Sequence, residues 1–141
     1  MKPPHPLVGT WRLVLCEHRL AGGRVWKPFG PGPTGRLVYT PEGRMIVMLG
    51  DPRRKRAAGS LFEATYEELA ASAQGFIAYS GTWRVRGSKV FHTVDMSLFP
   101  NWVGTTQMRE WEVRGRRVSF STRAFRVDGQ RQTAHLVWER E

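Results

Sequence analysis

Leu7-Val8-Gly9-Thr10-Trp11-Arg12-Leu13-Val14-Leu15 decides the reading of this chain. A glycine and a tryptophan two residues apart open an apolar run close to the N-terminus. Everything after that run reads as short strands broken by tight turns. Residues 9–17 form the expected first strand. The Gly/Pro-rich passage from Ala21 to Pro33 reads as a loop folded over one end of the sheet, with a short strand at residues 24–26. Residues 35–40 and 44–49 form a hairpin across Pro41-Glu42-Gly43. A basic loop follows, containing Arg53-Arg54-Lys55-Arg56.

One helix is expected, from Thr65 to Gln74. Thr65 and Glu68 have the spacing of a capping box, in which hydroxyl and carboxylate satisfy N–H groups that a helix start leaves free. Leu69, Ala70 and Ala73 supply an apolar side, and Gly75 ends the helix. A lone short helix among strands is expected to lid or plug an opening. Four long strands come next, at residues 77–86, 89–98, 104–114 and 117–122. Gly87-Ser88 joins the first two and Gly115-Arg116 the last two, each as a two-residue hairpin loop. A final strand over residues 132–140 follows the turn at Asp128-Gly129. The expectation is an all-β, antiparallel barrel of about eight to ten strands, forming one domain over residues 1–141.

Composition narrows the class. The 141 residues suit one core, and 40% are apolar, with six Trp and seven Phe. No stretch approaches the ~20 apolar residues that span a bilayer, and no membrane partner is expected. The N-terminus lacks an apolar signal region. Cys16 is the one cysteine, so no internal disulfide is available, which fits a cytoplasmic protein. It alternates with Leu13 and Leu15 and reads as a small structural residue. The net charge is +10, from 22 basic and 12 acidic residues. Most of the basic residues are arginines dispersed over turns and strand faces. That dispersal reads as a solvated surface, and nucleic acid is not the expected partner.

Strand parity assigns faces. Ile77, Tyr79, Gly81, Trp83 and Val85 share the inward face of one strand. Val90, His92, Val94, Met96 and Leu98 share that of the next. Thr105, Gln107, Arg109, Trp111 and Val113 follow, then Val118, Phe120 and Thr122. The two-residue loops fix register and place Trp83 opposite His92 and Arg109 opposite Thr122. His92 then lies directly opposite Arg109 or one diagonal step away. The expected ligand-binding set is Tyr79, Trp83, His92, Gln107, Arg109, Trp111 and Thr122. Arg109 carries the functional argument. An inward cation is costly unless paired, and Asp95, Glu110 and Glu112 face outward by parity. A ligand carboxylate, enolate or phenolate would supply the partner.

Several stretches resemble one family. They are residues 7–13 around Gly9-Thr10-Trp11, residues 35–45 around Tyr39-Thr40-Pro41-Glu42-Gly43, and residues 75–83 around Tyr79-Ser80-Gly81-Thr82-Trp83. Ser97-Leu98-Phe99-Pro100-Asn101-Trp102 and Leu136-Val137-Trp138-Glu139-Arg140 complete the set. Together they are similar to bacterial and fungal lipocalin-like domains. The resemblance implies a single lipocalin-like (calycin-type) barrel enclosing one small ligand, and it implies no settled activity. It also implies that Trp11 stacks on a basic residue near the end of the barrel, for which Arg140 is the candidate through a cation–π contact.

Other chemistry is poorly represented. His5, His18, His92 and His135 lack metal-ligand spacing, and no metal or cofactor is expected. No nucleophile elbow, phosphate loop or dinucleotide fingerprint is present. The expected function is binding of a small, mostly hydrophobic or aromatic molecule, with an anionic group allowed. The alternative is an isomerase or cyclase using His92 as general acid/base, with Arg109 and Tyr79 stabilising an oxyanion. A basic nucleic-acid or interaction module ranks third, and a homodimer is left open.

Overall fold

The structure, a computed structural model, describes residues 2–141. Ten strands run in chain order: β1 (Gly9–Leu20), β2 (Val25–Trp26), β3 (Thr34–Tyr39), β4 (Arg44–Gly50), β5 (Phe76–Arg86), β6 (Lys89–Ser97), β7 (Thr106–Arg114), β8 (Arg117–Ser121), β9 (Phe125–Val127) and β10 (Gln130–Arg140). All pairings are antiparallel. The sheet order is β2-β1-β3-β4-β5-β6-β7-β8-β10-β9, and β1 also pairs with β10. That last pairing closes β1, β3–β8 and β10 into an eight-stranded barrel. Closure removes the sheet edges that would otherwise stay unpaired. The short strands β2 and β9 extend the sheet beside β1 and β10, and β9 has no counterpart in the sequence reading.

The tight hairpins fall where the turn residues put them. Arg86 faces Lys89 across Gly87-Ser88, and Arg114 faces Arg117 across Gly115-Arg116. Trp83 faces His92 as expected.

Two bulges change the parity. The β1–β10 register shifts between Leu13 and Leu15, so Val14 is the extra residue. Past it Cys16, not Leu15, is buried. A second shift between Ser80 and Gly81 opposes Ser80 to Met96 and Gly81 to Val94, leaving Asp95 extra. Met96 and Leu98, expected inside, are therefore exposed. A bulge inserts one residue, and one residue turns every later side chain to the other face.

The helix α1 (Tyr66–Gln74) forms as its capping box dictates. Glu68 N donates to Thr65 Oγ1 at 3.2 Å, and Thr65 N donates to Glu68 Oε1 at 3.0 Å. The helix joins β4 to β5 at one end of the barrel. It buries none of its own residues.

The opposite end is closed. Trp11 is fully buried, and its Nε1–H donates to the Leu7 carbonyl at 2.9 Å. The Arg140 guanidinium lies 4.2 Å from the centre of the Trp11 ring and donates to the Val8 carbonyl at 2.8 Å. The expected Trp11–Arg140 pair is thus present, and the two residues face each other in the β1–β10 ladder. Gly9 has φ +136°, and a Cβ there would meet Arg140 Nη1 at 2.5 Å. The Gly-x-Trp opening is therefore explained by one contact. Glycine leaves room for the guanidinium, and tryptophan supplies the ring beneath it.

Candidate functional site

The barrel encloses a cavity of about 690 Å³. All eight barrel strands contribute to its lining, mainly through their parts away from the Trp11–Arg140 closure, so the mouth lies at the opposite end. Phe29, from the Gly/Pro-rich loop, and Arg123, Ala124 and Phe125 also contribute. The helix α1 contributes no residue to the lining. It stands beside the mouth, tied down by Arg54, whose Nη1–H donates to the Ser72 carbonyl at 2.9 Å.

Of the expected site residues, Tyr79, His92, Gln107, Arg109 and Thr122 line this cavity. Trp83 and Trp111 do not. They sit towards the closed end, edge-on to His5 at 5.6 and 5.4 Å. Their Nε1–H groups donate to the carbonyls of Thr40 (3.0 Å) and Gly87 (3.2 Å). Their parity is as expected, but they stand too far along their strands towards the hairpins to reach the cavity. The β6–β7 register also sets the neighbour of His92. Gln107 stands opposite His92, and Arg109 stands opposite Val90, one diagonal step away. The β7–β8 ladder begins with Glu110 opposite Ser121, and one further step brings Arg109 to Thr122.

Arg109 is half-buried. One terminal N–H donates to Gln107 Oε1 at 2.9 Å and another to the Met108 carbonyl at 3.0 Å. Among the described residues no carboxylate lies within ion-pair distance of it. A guanidinium has five N–H donors. The protein thus uses two of them, and the others are left for water or a ligand.

His92 is held between two tyrosines. Tyr39 Oη lies 2.5 Å from Nε2, and Tyr79 Oη lies 2.7 Å from Nδ1. All three side chains are buried. Burial pushes the imidazole down to about 3, with a smaller push from the Arg109 charge. Burial also raises both phenols above their ordinary value. At neutral pH all three groups are therefore uncharged.

Sequence reasoning missed Cys16, His18, Phe29 and Trp138 in the lining. The bulge at Val14 turns Cys16 and His18 inward. His18 Nδ1 faces Gln132 Oε1 at 2.7 Å, and its ring stands edge-on to Trp26 and Phe125. The Cys16 thiol is pushed up to about 12, first by burial and then by Glu17, so it stays protonated and unreactive. Trp138 is fully buried, and its Nε1–H has no hydrogen-bond partner among the described residues. Among the same residues no group of three or more His, Cys, Asp or Glu side chains is placed to hold a metal ion. No described helix is long and apolar enough to cross a membrane.

Comparison with known proteins gives the architecture its context. A "4'-hydroxy-3'-methoxypropiophenone carrier protein" of Aspergillus oryzae (strain ATCC 42149 / RIB 40) is 35% identical over 85 residues, which are 54% of this chain and 77% of the relative. Two solved structures are more distant. A lipoprotein YedD from Klebsiella pneumoniae subsp. pneumoniae MGH 78578 is 15% identical, with TM-score 0.43 over 100% of this chain and 78% of that one. An uncharacterized protein from Bacteroides eggerthii DSM 20697 is 12% identical, with TM-score 0.48 over 96% and 99%. Residues 8–141 match the family described as the lipocalin-like domain, and the chain belongs to that family.

Proposed function

We propose that the barrel is a carrier for a small, mostly apolar aromatic molecule, bound in the cavity with an electron-rich or anionic oxygen at Arg109. The observation that carries this reading is the Arg109 guanidinium. It lines an otherwise largely apolar cavity, keeps donors free, and has no carboxylate partner among the described residues. A few polar groups fixed in an apolar wall are the usual make-up of a ligand site. The carrier relative supports the same reading. Tyr79, His92, Gln107 and Thr122 are the proposed polar wall around the ligand. The isomerase or cyclase alternative has less support. Both nitrogens of His92 are occupied by tyrosine hydroxyls, which leaves none free to take a proton from a ligand. A reducing compartment such as the cytoplasm suits the lone, buried Cys16.

The test is a titration with an aromatic carboxylic acid followed by intrinsic tryptophan fluorescence. Arg109→Met is expected to weaken binding by about 1.5–3 kcal/mol, the range for a hydrogen bond to a charged group. The fold is expected to survive, because removing an unpaired, partly buried charge is often neutral or stabilising. Unchanged affinity would remove Arg109 from the site. A large fall in melting temperature would give it a structural role instead.

A further inference from the structure

The Tyr39–His92–Tyr79 chain has a direction, and the direction follows from counting protons. A neutral imidazole has one N–H and one bare nitrogen. One tyrosine therefore donates to it and the other accepts from it. The accepting tyrosine keeps its own hydroxyl proton and must send it elsewhere. Tyr39 is 1% exposed and has no hydrogen-bond partner but His92 among the described residues. If Tyr39 accepted, its proton would be sealed in the interior without an acceptor, which is costly. Tyr79 differs in one respect: it lines the cavity. The low-cost order has Tyr39 donating to Nε2 and Nδ1–H donating to Tyr79 Oη. A charged imidazole, which would donate from both nitrogens, is disfavoured by burial and by Arg109.

We propose that Tyr79 is a specificity residue whose hydroxyl proton is presented to the cavity, and that the bound molecule carries a carbonyl-type acceptor oxygen to receive it. This deepens the carrier reading and rests on it. Arg109 adds further donors to the same cavity. Gln107 Oε1, an acceptor on a residue of the same lining, already receives an Arg109 N–H. A ligand group that only accepts, such as a ketone or carboxylate oxygen, matches this wall. A molecule of the same shape without that oxygen leaves the Tyr79 proton unpaired, and sites built to hydrogen-bond discriminate strongly against such analogues.

Two measurements test it. The first uses the protein without ligand. Nitrogen-15 NMR of the histidine ring is expected to show His92 protonated at Nδ1 and bare at Nε2. Protonation at Nε2 would reverse the chain and overturn the proposal. The second compares propiophenone with propylbenzene, which has the same carbon skeleton without the oxygen. The native protein is expected to prefer the ketone, and Tyr79→Phe to weaken ketone binding about 10-fold while leaving propylbenzene within about twofold. Equal binding of both probes, unaltered in Tyr79→Phe, would also overturn it. If the native protein bound neither probe, the carrier reading would fail, and the His92 tautomer would still decide the direction of the chain.

Discussion

His92 shows how one buried side chain ties the stability of the barrel to pH. Folding holds it neutral, with a pKa lowered to about 3, whereas the unfolded chain protonates it near the ordinary histidine value of 6.5. Below that value the unfolded state binds the extra proton. The stabilisation is therefore fully present above about pH 6.5 and is lost as pH falls towards 3. Between pH 7 and pH 5 the loss is expected to be about 2 kcal/mol, at 1.36 kcal/mol per unit. Denaturant unfolding of the native protein and of His92→Gln at both pH values checks this, because the variant should lack that part of the slope. His5 and His135 are lowered too, but they are common to both proteins and cancel. At this scale the sequence was informative about which polar residues turn inward. Arg109, His92, Tyr79 and Gln107 were legible from parity and two hairpin loops. The tyrosine pair around His92 was not, because Tyr39 reaches it from β3, across the barrel, and local register says nothing about contacts through the interior.

At the level of elements, the errors in reading came from bulges. Parity holds only while pairing is one to one, and the extra residues Val14 and Asp95 broke it. One signal was available. Gly81 interrupts an otherwise well-filled strand, and a glycine there marks a bulge or a close backbone approach. A Cβ on Gly81 would stand 1.9 Å from the Thr93 carbonyl oxygen. Gly81→Ala is thus expected to force β5 and β6 apart at the bulge and to destabilise the barrel by about 2 kcal/mol or more, of the order seen for overpacking. A thermal melt measures it, and an unchanged midpoint would show that the bulge can relax. The Val14 bulge left no comparable mark, which is why Cys16 and His18 were missed as lining residues. The helix behaves in the opposite way. Its cap was legible, yet it buries nothing, so it is held by that cap and by hydrogen bonds from the preceding loop at Arg54 and Ala58. Thr65→Ala is expected to cost the helix about 1 kcal/mol. The loss should appear as faster amide exchange over residues 66–74, with the global melting temperature unmoved.

Taken whole, the molecule separates a closed, aromatic-packed end from a mouth ringed by loops. The sequence carried the barrel and its closure, because Gly9, Trp11 and Arg140 meet in a single contact. It did not carry which end is open, since that depends on how far each inward residue lies from its hairpin. Trp83 and Trp111 fell at the closed end for that reason. The basic exterior remains dispersed, with arginines such as Arg12, Arg36 and Arg117 in exposed ion pairs with Glu139 and Glu141. Such pairs and scattered cations give a screened attraction only. Nonspecific DNA binding seen at low salt is expected to collapse by about 0.15 M salt in a filter or anisotropy assay. Tight, sequence-selective binding at that salt would show that the exterior is a nucleic-acid surface.

The pairing of β1 with β10 has a consequence for synthesis. Trp11 meets Arg140 across nearly the whole chain. As the polypeptide leaves the ribosome, the strands from β3 to β8 can pair with their neighbours in turn, but the sheet stays open along both sides until β10 emerges. Contacts this distant in sequence form late and slowly, and unpaired edges are templates for aggregation. Nascent chains stalled before residue 130 are therefore expected to stay sensitive to protease and to recruit chaperones, becoming resistant only once the closing strand is free.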